Sequence, residues 1–562
     1  MDRNTIIAFL LIGLVLLLWP VYQKKILGVQ PQEQRAEQPV RQEAEKSPVV
    51  AETQEESVQP ETRVAPVRQP MRTAAMYDAD PDTLMIENNR FSAVFSTAGG
   101  GTVISWKLKK YVKVEKDALT GKPVKNPVNL IPQQAQEGNL GIQLIFPDGE
   151  TYDLSRHVFE VAEADSHSIR LVRTIPGVGR VEKTFRTGPD RYGLDMSVQF
   201  DGSRNRSDHA DIRVSWQTGL ASTEKAAKEE ESYHQAYALQ GGELLKEKKG
   251  STGVREGNTE WVALRNKYFV MAMIPEQGSG EAALLEKKDE PIEITDFYGN
   301  TMQWKNFRCQ LYQSTKDGNA GMTLFLGPLD LDLLKSYDVH LEKTMDFGWA
   351  IIRVFSVPLY YALDFLGRIL GNYGLAIIVL SILIKVVLYP LTRKSYQSMR
   401  EMQALQPKIA ALREKYAKDP QRLNQETMKL YKEHKVNPAG GCLPILLQMP
   451  VLFALFRLFR STIMFRLASF GPISDLSSPD GLIQIGSTAV HVLPILMGVT
   501  MFVQQKMSVQ DPKQKMMAYF MPIFLTFIFY RMSAGLNLYY LMFNILTIAQ
   551  EKLIKRPGSE KS

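Results

Sequence analysis

The stretch SILIKVVLYPLT, residues 381–392, lies at the end of an apolar run that extends from Leu375 to Leu391. A helix over this run approaches the thickness of a bilayer, because each helical residue adds about 1.5 Å. Lys385 is the only formal charge in the run, and a lysine near the centre of a span costs roughly 2.5–3.5 kcal/mol on insertion scales. The stretch therefore predicts a membrane helix whose lysine either escapes that cost or serves a purpose.

The chain around this run has two compositions. Residues 23 to about 345 have the composition of a soluble protein, whereas residues 347–554 are dominated by apolar runs. Five runs predict membrane spans, and they cover residues 373–391, 443–460, 490–507, 516–532 and 536–553.

The segment 347–370 is apolar as well, but charges and a proline interrupt it: Arg353, Pro358, Asp364 and Arg368. A lipid-spanning helix carries fewer charges than this. An amphipathic helix lying in the membrane interface is therefore favoured over the alternative of a kinked span.

The N-terminus predicts a sixth span, since residues 5–22 form an apolar run of about one bilayer thickness. A cleaved signal peptide is the alternative, but it needs small residues after its apolar core. Here the core ends in WPVYQ, residues 19–23, so an uncleaved anchor over residues 1–25 is favoured. Residues 26–79 are rich in Gln, Glu and Pro without an apolar period, which predicts a disordered tether.

From residue 80 to residue 345 the sequence consists of short runs rich in β-branched and aromatic residues, with Gly, Asp, Asn and Pro between them. The runs include FSAVFST (91–97), TVISWKL (102–108), GIQLIF (141–146), YGLDMSVQF (192–200), ADIRVSWQ (210–217) and YFVMAMI (268–274). This pattern predicts one large antiparallel β-sandwich domain.

The charge distribution predicts the orientation. Residues 393–436 carry eleven basic and five acidic side chains, a net charge of +6 in a short loop, which is typical of the cytoplasmic side. Counting spans back places Met1 in the cytoplasm and residues 23–371 outside, in the periplasm of a bacterium with two membranes. Three arginines, at positions 457, 460 and 466, then fall on the outer side, where we expect them to snorkel to the interface.

The same loop contains helical periodicity. Apolar residues from Met399 to Tyr416 recur every three or four positions, and a weaker stripe follows from Leu423 to His434. Residues 393–436 therefore predict a helical hairpin with its charges outward, including Arg393, Lys394, Arg400, Lys408, Arg413 and Lys415. From charge alone the hairpin is either merely solvated or a docking site for acidic lipid or RNA-bearing partners.

Polar residues accompany Lys385 on its helix. Lys385 lies roughly 9 Å from the cytoplasmic end of its run, so snorkelling nearly suffices to explain it. However, Ser381 and Tyr389 share its helical face, and other spans carry Gln448, Tyr540 and Asn544. Each of these alone is explained by helix–helix contacts. Together they predict a polar cavity that is open to the cytoplasm.

Several classes of function lack their motifs. The seven histidines are scattered and the two cysteines, Cys309 and Cys442, are far apart, so we expect neither a metal site nor a disulfide framework. No Walker A loop, Gly-x-Ser-x-Gly elbow or His-Glu-x-x-His motif occurs, which argues against the commonest ATPases and hydrolases. We expect a protein that is not an enzyme and has no cofactor.

Four segments carry a resemblance to a known family. LYPLTRKSYQSMREMQALQPKI (388–409), VNPAGGCLPILLQMPVLFALF (436–456), LPILMGVTMFVQQKMS (493–508) and FMPIFLTFIFYRMSAGLNLYYLMFNILTIAQ (520–550) resemble, in order, the YidC-type membrane protein insertases of the YidC/Oxa/Alb family. The anchor, tether and outer β-domain are similar in layout to the Gram-negative branch, in which that domain is a β-supersandwich.

The resemblance implies a hydrophilic groove that is open to the cytoplasm and lipid and contains one basic residue, usually arginine. Lys385 occupies the matching position, which keeps the charge and loses the bidentate fork. Gln448 and Tyr540 match other groove or substrate-contacting positions, and the hairpin matches one that helps to receive nascent chains. Association with the Sec translocon and with ribosome-bound nascent chains is also implied, without recognition of nucleic-acid sequence.

The sequence thus predicts a polytopic α-helical protein of the bacterial inner membrane with six spans and a large periplasmic antiparallel β-sandwich. Its expected parts are an anchor (1–25), a tether (26–79), the β-domain (80–345), an interfacial helix (346–371), a five-span insertase core with the cytoplasmic hairpin 393–436 (372–554), and a cytoplasmic tail (555–562). The expected function is that of a membrane protein insertase and chaperone. The alternatives are a solute or ion transporter that uses Lys385 and an envelope carbohydrate-binding protein that uses the β-domain.

Overall fold

The computed structural model describes residues 79–553 apart from 118–119, 121, 133–137, 202–209, 248–252, 277–279, 316–317, 435, 437–442, 486–487 and 509–514. The predicted anchor, the predicted tether except for its last residue, and the predicted tail lie outside the described residues.

In the described residues, twenty strands lie between Thr83 and Pro328. They are β1 (Thr83–Glu87), β2 (Phe91–Ser96), β3 (Thr102–Lys116), β4 (Pro123–Asn129), β5 (Gly141–Ile145), β6 (Thr151–Asp153), β7 (Glu160–Ala164), β8 (Ser168–Ile175), β9 (Gly179–Arg186), β10 (Gly193–Asp201), β11 (Asp211–Trp216), β12 (Gln235–Gln240), β13 (Glu243–Lys246), β14 (Val254–Arg265), β15 (Phe269–Pro275), β16 (Gly280–Lys287), β17 (Ile292–Thr295), β18 (Thr301–Trp304), β19 (Phe307–Ser314) and β20 (Asn319–Pro328).

These strands form a four-stranded sheet, β1-β2-β3-β4, and a 14-stranded sheet in the order β6-β5-β11-β19-β16-β14-β15-β20-β10-β9-β8-β7, in which β12 pairs with β14 and β13 pairs with β12. β17 and β18 form a separate two-stranded sheet. The strand pairs are antiparallel; in the large sheet, Met196 of β10 lies opposite Met322 of β20. Alternate residues of β2 are buried, as a strand with one face on a core requires. The Phe95 and Phe185 rings meet at 4.7 Å between the two sheets.

Each of the six quoted runs of the β-domain lies in a strand. The run 102–108 covers only the first part of its strand, because β3 continues to Lys116. Its register against β4 shifts between Leu108 and Val112. Beyond that irregularity the side chains no longer alternate between core and solvent, so hydrophobic periodicity stops while the backbone pairing continues.

A buried histidine gives the β-domain a pH dependence. His234 Nε2 accepts a hydrogen bond of 3.1 Å from the Leu220 backbone N–H. Burial, assisted by the nearby Lys305, lowers the pKa of His234 to about 3. The unfolded chain binds this proton near pH 6.5, so the folded state loses stability as the pH falls below that value. Between pH 7 and pH 5 we expect a loss of about 2 kcal/mol in the free energy of unfolding.

Equilibrium unfolding of the full chain, followed by tryptophan fluorescence between pH 5 and pH 7, measures this loss. His234→Gln keeps an acceptor for the Leu220 N–H and is expected to remove the loss. His167 is exposed, so His167→Gln serves as the matched control and is expected to retain it. A His234→Gln chain as sensitive to pH as the parent would contradict this assignment.

Ten α-helices occur among the described residues. They are α1 (Ala227–Glu230), α2 (Leu331–Lys335), α3 (Ala350–Leu370), α4 (Tyr373–Ala404), α5 (Gln406–Lys415), α6 (Pro420–Glu433), α7 (Leu443–Ser461), α8 (Val492–Ser508), α9 (Lys515–Phe529) and α10 (Ala534–Leu553), with a small hairpin of β21 (Ile483–Ile485) and β22 (Thr488–Val490). By length and composition, α3 and α4 are able to cross a membrane, and α8 and α9 contain shorter apolar helices.

Helix α3 buries one face. Its buried residues recur every three or four positions, at Ile352, Ser356, Tyr360, Leu363 and Gly367, so they form a single stripe. The helix runs through Pro358 and ends at Gly371, whose φ of 64° is left-handed. Glycine adopts that conformation without strain, and it allows α4 to begin at Tyr373 directly afterwards.

Helix α4 is longer than predicted. The Asn372 side chain caps it by accepting hydrogen bonds from the N–H groups of Gly374 (2.8 Å) and Leu375 (3.1 Å). The helix then continues through Pro390 to Ala404. The predicted end of the span at Leu391 and the start of the hairpin at Arg393 do not coincide with a helix boundary. Charged residues change the preferred surroundings of a helix without ending it, since Lys and Arg are good helix formers.

The segment after α7 contacts both the β-domain and the helices. Ile463 belongs to the apolar core of the β-domain, whereas Phe465 and Leu476 belong to the core of the helical bundle. Arg466 Nε lies 2.6 Å from Glu224 Oε1, and its Nη2 donates to the Thr223 carbonyl at 3.1 Å. This ion pair is buried, with side-chain exposures of 3% for the arginine and 12% for the glutamate.

The prediction that the three outer arginines snorkel was wrong. Besides the Arg466 pair, Arg460 lies 3.8 Å from a Glu229 carboxylate oxygen, and Arg457 lies 2.5 Å from Asp346. Each acid precedes its arginine by more than 100 residues in the chain, so local sequence gave no sign of the pairing. The arginines connect the bundle to the β-domain and to the segment that leads out of it.

Candidate functional site

The buried face of α4 changes character along the helix. Near its start the buried residues are apolar, at Ala376, Ile377 and Leu380. Further along they are polar, at Ser381, Lys385, Thr392 and Ser395. The side chains share a face because positions three or four apart lie above one another on a helix. The part of the bundle next to residues 381–395 of α4 is therefore lined with polar groups, and it is called the polar half.

Lys385 is directed into the bundle. Its side chain is only 7% exposed, and its Nζ donates a 2.7 Å hydrogen bond to Thr547 Oγ1 on α10. The ammonium also lies 4.5 Å from the centre of the Phe543 ring. The hydrogen bond and the ring both lower the cost of a buried cation. The lysine is thus held between two helices instead of reaching along its own helix to the interface.

Further polar contacts join the same helices. Gln550 Nε2 donates to Thr392 Oγ1 at 3.0 Å, and Arg400 donates to the backbone carbonyl of Glu551. The Glu551 side chain is buried and acts electrostatically on Lys385. The ammonium therefore belongs to a polar cluster in which an acid is also present.

Helix α8 extends this cluster. The Asn544 side-chain amide donates to the Met497 carbonyl (3.3 Å) and to Thr500 Oγ1 (3.4 Å). Residues 540, 544, 547 and 551 of α10 are spaced four, three and four positions apart and are all buried, so they form one stripe. Thr547, Phe543 and Glu551 were missed by the sequence analysis, although this spacing was a usable signal.

The other predicted residues are placed differently. Ser381 is buried, but its hydroxyl donates to the Ile377 carbonyl of its own helix at 2.7 Å. Tyr389 is 42% exposed, and Gln448 on α7 is half-buried. Tyr540 is buried, with its ring 5.1 Å from that of Phe529. The structure thus brings Lys385 and Asn544 into one stripe of contacts and leaves Tyr389 at the surface.

Four buried polar atoms of α10 have no hydrogen-bond partner among the described residues: Asn537 Oδ1, the hydroxyls of Tyr539 and Tyr540, and the Gln550 side-chain carbonyl. A buried polar atom without a partner costs about 1–3 kcal/mol. Such atoms are favourable only where water or a bound chain reaches them. Water or a bound polar group that forms a hydrogen bond with one of these atoms therefore recovers that cost.

The polar half lies away from the β-domain. At the opposite end of the bundle, Asn372 before α4 donates to the Ser469 carbonyl at 3.1 Å, and the Gly535 N–H of α10 donates to the Leu476 carbonyl at 2.9 Å. Ser469 and Leu476 belong to the segment that contacts the β-domain. Thr547 is about 20 Å along α10 from its first residue, so it lies toward the far side of the bundle.

The basic residues predicted on the hairpin lie on helices. Arg393 and Lys394 are exposed on α4 and Lys415 is exposed on α5, whereas Arg400 and Arg413 are half-buried. Lys408 Nζ lies 2.9 Å from His434 Nε2, which brings the two ends of the α5–α6 segment together. Residues 410–430 do not belong to the compact unit that residues 77–409 and 431–562 form.

The described residues contain no cluster of three or more His, Cys, Asp or Glu side chains able to hold a metal ion. Cys309 is a buried free thiol in β19, and burial raises its pKa, so it is unreactive as a nucleophile. Cys442 lies outside the described residues.

Comparison with known families divides the chain into two parts. A family model for the YidC periplasmic domain matches residues 83–362, which cover strands β1 to β20 and most of α3. A family model for the 60Kd inner membrane protein matches residues 365–561, which contain Lys385 and the polar stripe of α10.

Relatives match the chain over its whole length. The membrane protein insertase YidC of Chlorobaculum parvum is 32% identical, covering 100% of this chain and 96% of its own. That of Syntrophus aciditrophicus is 34% identical, covering 99% and 100%. A crystal structure of an active YidC insertase is 18% identical and covers 83% of this chain and 91% of its own, with a TM-score of 0.34. On the identity and coverage of its relatives, the chain belongs to the YidC family of membrane protein insertases.

Proposed function

We propose that this chain inserts nascent membrane proteins into the bacterial inner membrane and that it receives them at the polar half of its helical bundle. The insertase activity and the inner membrane agree with the family to which the chain belongs. The observation that carries the finer proposal is the buried ammonium of Lys385, held between α4 and α10 by Thr547.

The proposed topology has six spans: residues 5–22, α4, α7, α8, α9 and α10, with α3 lying in the outer interface. The net charge of +6 over residues 393–436 supports a cytoplasmic position for α5 and α6. The contacts of the β-domain with the opposite end of the bundle support a periplasmic position for that domain. In this topology the polar half faces the cytoplasm, from which substrates arrive.

The polar half lowers the cost of the difficult step. A substrate with an acidic outer segment must bring carboxylates part-way into the bilayer, at a cost of several kcal/mol each. Lys385 offers a positive charge and the Tyr540 hydroxyl offers a donor to a carboxylate, while the Gln550 carbonyl can accept a hydrogen bond from a backbone N–H of the substrate. Water admitted to this half would hydrate the remaining groups.

The hydrophobicity of the substrate's own span drives its release into lipid. A span of about 20 apolar residues gains free energy from each apolar side chain that leaves water, about 25 cal/mol per Å2. The lipid-facing side of α4 is apolar and exposed, as at Val386 (64%) and Val387 (71%), so the span moves along a compatible surface. No nucleotide is required for this step.

The basic hairpin is the proposed receiving surface. Its charge favours contact with anionic partners, and the family resemblance extends the proposal to ribosome-bound nascent chains and to the Sec translocon. The relatives are named as insertases, and not as transporters or carbohydrate-binding proteins. Insertases are not a known class of enzymes.

Reconstitution tests the proposal directly. The purified full chain is placed in liposomes and supplied with a single-span protein that has a short acidic outer tail, and protease protection of the tail measures insertion. We expect protection well above that of empty liposomes. A substrate that inserts through an established insertase but remains unprotected here would overturn insertion by this chain alone.

A further inference from the structure

A cavity lies where the β-domain meets the first turn of α3. Its volume is about 260 Å3, and its lining includes Tyr237, Lys246, Lys343, Phe347 and Arg353. A space of this size holds several water molecules or one polar group. It lies on the opposite side of the bundle from the polar half described above.

Three of the lining residues are cations. Lys246 and Arg353 are exposed, and Lys343 donates one of its three N–H groups to the Gly242 carbonyl at 2.8 Å, which leaves two. The acid in the lining, Asp346, already pairs with Arg457 at 2.5 Å. Three like charges in one concave space repel each other unless an anion joins them.

Exposed apolar residues lie next to the lining residues in the chain. Trp349, which precedes α3, and Ile351 and Val354 at its start are 71%, 69% and 70% exposed. A tryptophan at the start of an apolar helix is typical of the membrane interface. The phosphate of a lipid headgroup matches the cations, and its acyl chains match the adjacent apolar turn. A soluble anion would use only the first of these two surfaces.

We propose that this cavity binds the headgroup of an acidic phospholipid of the outer leaflet. The proposal rests on the topology proposed above, in which α3 lies in the outer interface. Arg353 and the two lysines bind the phosphate, while Trp349, Ile351 and Val354 lie along the acyl chains. A lipid held there fixes the β-domain to the membrane surface at the point where the chain enters the bundle.

Trp349 provides the measurement. The full chain is reconstituted in phosphatidylcholine vesicles that contain equal fractions of brominated phosphatidylglycerol or brominated phosphatidylcholine. The quenching that is lost in Trp349→Phe is assigned to Trp349. We expect this quenching to be several-fold stronger with the brominated anionic lipid, because each interfacial cation changes the local concentration of acidic lipid by about fivefold at low salt.

Two charge variants test the site. Changing Lys246, Lys343 and Arg353 together to Gln is expected to abolish the preference for the anionic lipid. The matched control changes three exposed lysines in or next to the four-stranded sheet, Lys107, Lys122 and Lys125, to Gln and is expected to preserve it. Equal loss in the two variants would mean a non-specific charge effect and would overturn the site.

The remaining outcomes are equally decisive. Equal quenching of the parent by both brominated lipids, or no quenching by either, would overturn the proposal. If soluble glycerol 3-phosphate removes the preference, the cavity is a site for a free anion and the lipid assignment is wrong. Protease-protected insertion is measured in the same vesicles, so failure of the lipid site with intact insertion is distinguishable from failure of the proposed function.

Discussion

Replacing Lys385 by leucine is expected to reduce insertion of a substrate with an acidic outer tail by about tenfold or more. The substitution removes the positive charge between α4 and α10 and leaves Thr547 Oγ1 without its donor. It also removes the positive charge that interacts electrostatically with the buried Glu551. Lys385→Arg is expected to keep most of the activity, since it keeps the charge and changes only the geometry of the donors.

The substrate supplies the main control for this prediction. A matched substrate whose outer tail is neutral is expected to lose less than about twofold in Lys385→Leu, because no carboxylate then requires the charge. Val387→Leu changes an apolar residue of the same helix that is 71% exposed, and the variant is expected to insert both substrates like the parent. If Lys385→Leu affected the acidic and neutral tails equally, the charge would have no specific role.

Removing Arg466 is expected to destabilise the attachment of the β-domain by about 3–5 kcal/mol. The reason is that Arg466→Ala leaves Glu224 buried without its cation. Burial already raises the pKa of Glu224 to about 7, although Arg466 opposes the shift. A carboxyl group whose folded pKa is raised contributes stability at low pH that is lost as the pH rises through that value. Because Arg466 lowers the pKa of Glu224, its removal raises that pKa further. The variant therefore continues to lose stability above pH 7, where the parent no longer does, and the deficit of Arg466→Ala is expected to be larger at pH 8 than at pH 6.

Urea unfolding of the full chain in detergent measures this deficit at both pH values. Arg457→Ala is the matched control, since the Arg457–Asp346 pair is 29% and 44% exposed, and exposed pairs contribute less than about 1 kcal/mol. A double-mutant cycle with Glu224→Gln separates the pair from the packing of the arginine stem. Equal stability of Arg466→Ala and Arg457→Ala would show that the buried pair is energetically unimportant.

The helices and strands of the fold were predictable because each depends on the residues of its own segment. Alternating β-branched and aromatic residues gave the strands, as for residues 91–97, where β2 was found. Long apolar runs gave the helices, as for residues 443–460, where α7 was found. In both cases one face of an element must be apolar in order to pack, and that requirement is visible within one segment.

The contacts of the candidate site were not predictable in the same way. Lys385 was identified because a charge in an apolar run is conspicuous, but its partner Thr547 is 162 residues away. Tyr389 shares the helical face of Lys385 in sequence, yet it is exposed, because none of the helices that the structure describes covers that turn. Partners of this kind are fixed by how helices pack, which a single sequence does not reveal.

The buried Arg466–Glu224 pair also bears on the order in which the protein is made. In the proposed topology the β-domain leaves the ribosome first, and the segment that carries Arg466 follows more than 100 residues later. At about 5–20 residues per second, that delay is on the order of 10 s, which is ample for a domain to fold. The finished β-domain is then a template onto which the late segment docks, and Glu224 keeps its proton or its water until the arginine arrives.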